Sequence, residues 1–300
     1  MFSTLLGPLP VPPAGDASIA GAGGDTRAVV LSALDEIGLE LVTTGEPSAP
    51  PDLPAAVVIA RWRAAAALST RPVKQALMGP YSAGRDGGPN GPAGIAEKMR
   101  STITALADAG CPFIEIDEPE ALAIAVVEGE RRRFVDAHRR LVEGLSGVHV
   151  SLAVSGGNHD AAGPATFFDL PYASYAFDLI AGPDDWRLAV AAPGDRGIVC
   201  GAIDPREGGD ETRELLVWAA QYAASSGGRG LDRVGLANAP SLAALPWDVA
   251  LRKLRRVVEA TRIAGIQSPD EMAAKLDPRA VTRRRAATGA RVRLAGPERE

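Results

Sequence analysis

Eight short apolar runs recur along the chain, at residues 4–9, 39–46, 73–79, 113–117, 148–154, 174–179, 197–203 and 234–239, with helix-period segments between them. A strand followed by a helix, repeated, calls for parallel strands, because each return to the same edge needs a crossover. Asp25 is placed to cap a helix carrying Val29, Val30, Ala33, Leu34 and Ile37, with Gly38 just beyond its end. Ile95, Met99, Ile103 and Leu106 recur at helical spacing and stop before Gly110. Trp247, Leu251, Leu254 and Val258 do the same behind Pro246. Eight such units match the count of a closed barrel. The expected fold class is therefore α/β, a (β/α)8 TIM barrel as a single domain over residues 1–265, followed by a basic C-terminal extension over 266–300.

Composition narrows the setting. Hydrophobic residues make 46% of the chain, enough for a core, which excludes a wholly unstructured protein. No apolar run reaches the ~18 residues of a membrane helix. The opening MFSTLLGPLPVPP lacks a basic region and is broken by prolines, so no signal peptide is expected. Two cysteines, Cys111 and Cys200, cannot build a disulfide framework or a cysteine-rich zinc site. A cytoplasmic protein with no membrane partner is the expectation. The net charge is −5, yet residues 279–300 hold seven arginines against two glutamates, so the body is the more acidic part. An acidic body argues against nucleic acid as the main partner. The run Arg283, Arg284, Arg285 is read as a solvated or docked terminal segment rather than an RNA contact. Oligomeric state is left open.

Polar residues gather just after the strand-like runs. They are Glu46, Tyr81 with Ser82, Asp117 with Glu118, Asn158 with His159, Asp178 and Asp204. In a barrel, the C-terminal ends of the strands form the active face. Each residue taken alone reads equally well as a turn former or a helix cap. His159 is the candidate general acid or base, with Asp160 adjacent and Asp178 one strand on. Glu46, Tyr81, Ser82, Asp117, Glu118, Asn158 and Asp204 are the candidate substrate contacts. His138 and His149 read as structural, and Cys200, mid-strand, as a packing residue. The proline-rich stretch 47–54 sits where a substrate loop would be. Residues 84–94 are glycine-rich without a phosphate-loop pattern, and read as a mobile loop.

The landmarks GPLP (7–10), GLELVTTGE (38–46), VKQALMGPYS (73–82) and AGCPFIEIDEPEAL (109–122) resemble the catalytic domain of cobalamin-independent methionine synthase. LAVSGGN (152–158), SYAFD (174–178) and NAPSLAALPWDVALRKL (238–254) extend the resemblance to about residue 264. It implies a barrel and methyl transfer from a folate to the thiol of homocysteine, with zinc held by a histidine, two cysteines and a glutamate. Carried over position by position, those ligands fall on Ala153, Ser155, Ala176 and Pro240. Zinc is therefore not expected. The resemblance also implies that Glu46 and Asp117 hold a substrate ammonium group. The family's carboxylate-binding serine is Pro8 here, and the stretch between Glu46 and Val73 that would carry folate contacts is short. No cofactor is expected, folate being implied only by the resemblance. The resulting expectation is a zinc-free relative that binds a small amine- or amino-acid-like ligand and acts as a methyl- or alkyl-transfer enzyme. A non-catalytic binding or partner subunit and a metal-free decarboxylase or lyase are the alternatives.

Overall fold

The computed structural model of the chain describes residues 1–13, 26–87, 91–209 and 211–277. Seven strands form one sheet, every neighbouring pair parallel: β1 (Phe2–Ser3), β2 (Gln75–Met78), β3 (Phe113–Glu118), β4 (His149–Val154), β5 (Ser174–Asp178), β6 (Gly197–Ile203) and β7 (Val234–Asn238). Their order is β1-β7-β6-β5-β4-β3-β2. Strand periodicity gives the sheet two different faces. Ile114, Ile116, Leu152, Tyr175, Phe177, Ile198, Cys200 and Leu236 face the large core under the helices. The alternate positions Ala153, Ala176, Val199 and Ala237 pack with Leu6 and Phe2 in a separate, narrow cluster. Small side chains on that face let the sheet curl, as the concave side has less room than the convex one.

The two sheet edges, β1 and β2, are not bare. Leu41 bridges Thr4 and Val42 bridges Val73, both in parallel. The Leu41 amide donates to the Ser3 carbonyl at 3.0 Å, and the Lys74 amide to Val42 at 2.9 Å. The chain then leaves the ladder and returns at Ala49, whose carbonyl accepts the Met78 amide at 2.9 Å. Local turn chemistry explains the excursion. Thr43 Oγ1 accepts the Gly45 amide, Gly45 sits at φ +70°, and its carbonyl accepts the Leu9 amide. The strand expected over 39–46 is thus reduced to its two bridging residues. The strand expected over 4–9 ends at Thr4, because Gly7 turns at φ +69° and the Leu6 amide goes to the Asn238 side chain. The other six strands fall within two residues of expectation.

Helices cover the outer face. They are α1 (Thr26–Ile37), α2 (Ala55–Ala66), α3 (Pro80–Gly84), α4 (Pro92–Asp108), α5 (Ala123–Val126), α6 (Glu128–Val142), α7 (Pro164–Phe168), α8 (Trp186–Ala191), α9 (Arg213–Ser225), α10 (Trp247–Ala264) and α11 (Pro269–Leu276). Gly38 ends α1 at φ +83°, and the Leu39 amide closes back on the Leu34 carbonyl. Pro246 precedes α10, which buries Leu251, Leu254 and Val258 from one face. The proposed cap Asp25, part of the glycine-rich loop and the basic tail lie outside the described residues. No described helix is long and apolar enough to cross a membrane.

Candidate functional site

Strand β3 presents its carboxylates alternately to the two sheet faces. Asp117 is half-buried, and its Oδ2 accepts a 2.6 Å hydrogen bond from Ser48 Oγ. Burial pushes its carboxyl up to about 6; the Ser48 hydrogen bond opposes this, and nearby Glu115 and Glu118 reinforce it. Two residues back on the same face, Glu115 accepts from Lys74 Nζ at 2.5 Å, with both side chains out of solvent. Ser151, the β4 partner of Glu115, is buried with no partner for its hydroxyl among the described residues.

Glu118 points the other way and is fully buried. Its oxygens accept the Tyr81 amide at 2.9 Å and the Ser82 amide at 2.6 Å, the first turn of α3. His138 Nε2 lies 3.0 Å from Glu118 Oε1, and His138 Nδ1 is 2.6 Å from the Tyr172 hydroxyl. Glu118 therefore holds the start of α3 rather than a cavity wall. Tyr81 is buried and donates its hydroxyl to Glu130 at 2.7 Å. Burial raises its phenol above the ordinary tyrosine range. Ser82 Oγ accepts the Glu120 amide.

Glu46 rides the excursion between Val42 and Ala49. It is exposed, and Arg27 Nε lies 3.0 Å from its Oε1. No hydrogen bond or ion pair joins it to Asp117 among the described residues. The two are linked through the 46–48 segment, since Ser48 reaches Asp117. Glu46 and Ser48 line a cavity of about 270 Å³ with Thr43, Thr44, Arg61 and Lys74. A second cavity of about 530 Å³, lined by Met78, Ser82, Lys98 and Glu120, shares Pro50 with the first. The proline-rich segment thus stands between two openings.

The histidine loop forms another cluster. His159 is fully buried. Its amide donates to Asp185 Oδ1 at 2.5 Å, and its Nδ1 is 2.8 Å from Asp185 Oδ2. Its Nε2 is buried without a hydrogen-bond partner among the described residues. Asn158 exchanges hydrogen bonds with Asp184. Asp178 accepts the amides of Ile180 and Ala181. These contacts tie the loops after β4 and β5 together, and no hydrogen bond joins His159 to Asp178. Asp204 stands apart, held below its usual range by Arg206, which forms two-pronged contacts to it.

Ser48, Arg61, Lys74, Glu115 and Asp185 are the site-forming residues that sequence reading passed over. Glu115 had a signal, since it lies two positions from Asp117 on one strand face. Asp185 had none, because its partners lie 25 and 26 positions away. Burial pushes the thiols of Cys111 up to about 11 and of Cys200 up to about 12. Neither thiol is a neutral-pH nucleophile.

The positions that would carry zinc by resemblance do not fit a metal. Ala153 and Ala176 are register partners on β4 and β5, inside the narrow cluster. Pro240 offers no donor, and Ser155 offers only a hydroxyl. Among the described residues no three of His, Cys, Asp and Glu gather to hold an ion.

A parallel α/β sheet of seven strands among the described residues, with polar groups at the strand ends, defines the class: a barrel-like α/β fold. No family model matches the chain. A stretch of 157 residues is 31% identical to the 5-methyltetrahydropteroyltriglutamate–homocysteine methyltransferase of Caulobacter vibrioides, covering 50% of this chain and 19% of that protein. Another of 175 residues is 29% identical to the methionine synthase of Methanothermobacter marburgensis, covering 55% and 52%. The chain thus spans about a fifth to half the length of these curated relatives. The B12-independent methionine synthase of Shewanella sp. W3-18-1, solved with selenomethionine, superposes with a TM-score of 0.67 at 15% identity over 87% of this chain and 96% of that one. A Listeria monocytogenes protein described as a vitamin-B12-independent methionine synthase gives 0.64 at 15% identity, over 87% and 97%. The fold is shared with these structures, and the sequence matches, each over about half of this chain, support a methionine-synthase-like family.

Proposed function

We propose that this chain is a zinc-free relative of those enzymes that binds a small amine- or amino-acid-like ligand at the C-terminal mouth of a (β/α)8 barrel, and uses it in methyl or alkyl transfer. In this reading the bridging residues Leu41 and Val42 stand for the eighth barrel strand, residues 1–265 form the barrel, and 266–300 form an extension. The observation that carries the ligand class is Asp117. Its carboxyl sits at a strand end with a hydroxyl, Ser48, as its side-chain partner. Burial holds it near 6, so a ligand ammonium would relieve an unfavourable charge there. The donor-poor set Ala153, Ser155, Ala176 and Pro240 supports chemistry without zinc.

A second reading, a non-catalytic binder, is favoured by one specific observation. His159 and Asp178, the acid–base candidates, are both committed to loop hydrogen bonds. Calorimetric titration with small amines and amino acids, on the parent and on Asp117→Asn, tests the ligand class. Binding that Asp117→Asn weakens supports it, and equal binding by both proteins overturns it. Elemental analysis finding about one tightly held zinc per chain would overturn the zinc-free assignment.

A further inference from the structure

The solvent side of α9 differs from that of the other long helices. On α10 the exposed side chains are charged: Asp248, Arg252, Arg255, Glu259 and Arg262. On α6 they include Arg132, Asp136, Arg139 and Arg140. On α9 the exposed positions beyond Glu214 are Leu215, Trp218, Tyr222 and Ser225, with no charge among them. The other side of α9 buries Leu216, Val217, Ala220 and Ala223 in the core. A helix that is apolar all round is ordinarily covered all round. Here the described residues cover α9 on one side.

The neighbouring helix α8 extends the patch. Trp186, its first residue, lies edge-on to Trp218 and Tyr222, with ring centroids 5.5 and 5.4 Å away. Trp218 and Tyr222 stack at 5.0 Å and 11°. Each ring holds the others in place, so docking against them costs little side-chain freedom. Val190 follows Trp186 one turn on and is 42% exposed, against 49% for Leu215, 51% for Trp218 and 38% for Tyr222. At ordinary side-chain areas of up to about 250 Å², these exposures leave about 400 Å² of apolar surface on each copy of the chain.

We propose that this aromatic face is where two copies of the chain associate about a two-fold axis. Two such patches bury about 800 Å² of apolar surface; at the ~65% apolar share of homodimer interfaces this corresponds to about 1,200 Å² in all, the lower edge for a specific contact. The dimer is therefore weak, with a dissociation constant in the micromolar range. A second copy fits the patch better than an unrelated partner. The patch has no charge with which to steer or select another molecule. The chain carries a net charge of −5, so its copies repel each other least where an uncharged face meets an uncharged face. A two-fold axis sets this face against itself.

Sedimentation equilibrium of the full chain across micromolar concentrations tests this. The expected result is a monomer–dimer equilibrium that Trp218→Ala weakens by about thirtyfold or more, because the axis counts the ring twice. Leu215→Glu should weaken it as well, by setting two carboxylates into the contact, and thermal melting checks that both variants fold. Val126→Glu, at an exposed apolar residue on α5, should associate like the parent. Added sodium chloride should leave the dimer intact or tighten it, since it screens the repulsion between acidic copies. A chain that stays monomeric up to about 1 mM overturns the proposal. So does a dimer that both patch variants leave unchanged, or one that salt dissolves. Binding of a monomeric parent to phosphatidylcholine vesicles, lost in Trp218→Ala, also overturns it and makes the patch a lipid contact.

Discussion

Ser48 and Asp117 are 69 positions apart in sequence, yet their side chains meet at 2.6 Å at the mouth of the sheet. The contact pins the proline-rich segment to the end of β3. It also leaves Asp117 with a neutral partner for a buried charge, and the chain's stability should report this as a function of pH.

In the folded chain Asp117 titrates near 6, against an ordinary 3.8, chiefly because burial disfavours its charged form. Between those values the folded state binds more protons than the unfolded one. Stability should therefore fall as pH rises from about 4 to about 6, by up to about 3 kcal/mol from this group. Asp117→Asn should remove that component. Urea unfolding of both proteins across this range checks it, and parallel pH profiles would refute it.

Lys74 and Glu115 form a buried pair with side chains 1% and 4% exposed. Lys74→Met leaves Glu115 unpaired and should cost about 3–5 kcal/mol. Adding Glu115→Leu should restore part of that loss. A double-mutant cycle in urea decides it; a double variant less stable than Lys74→Met would show that the pair does not couple as described.

Asp185 accepts three hydrogen bonds, from the His159 amide and ring and from the Asp160 amide. An amide side chain offers one accepting oxygen in place of two. Asp185→Asn should lower stability by about 2–4 kcal/mol and speed hydrogen exchange at His159 and Asp160. Unchanged exchange at both amides would count against Asp185 as the anchor of that loop.

Gly79 lies against Glu118, and a Cβ there would sit 2.1 Å from Glu118 Oε1. Gly79 has φ −69°, so no backbone strain enters. Gly79→Ala should displace the carboxylate from the Tyr81 and Ser82 amides and lower stability by about 1–3 kcal/mol. Thermal melting is the measurement, and an unshifted midpoint is the contrary result.

Much of the fold was legible from local pattern. The run GIVCGAI at 197–203 became β6 with no shift of its bounds, and TRAVVLSALDEI became α1 with Gly38 as its stop. Strand and helix periods are local quantities, set by how a pleat or a helical turn aims successive side chains. That locality also explains where the pattern misled. Residues 39–46 read as a strand, but Thr43 and Gly45 impose a turn, and only Leu41 and Val42 pair. The site candidates were legible as residue types after strands, but their commitments were not. Asp117 and Glu118 are neighbours in sequence, yet the pleat sends one toward Ser48 and the other under α3.

By itself the sequence determined the alternation of strands and helices, the acidic body, and the lack of histidine, cysteine or carboxylate at 153, 155, 176 and 240. Those depend on residue identity and short-range geometry, which do not change when the chain closes up. Tertiary structure alone decided which charges are spent. Arg27 meets Glu46 and Lys74 meets Glu115, while Arg61, which lines one cavity with Glu46 and Lys74, takes part in no hydrogen bond or ion pair among the described residues. Ion pairing depends on distances of a few ångströms between groups 19 to 41 positions apart. Such distances are set only when the whole sheet is assembled and its helices are packed against it.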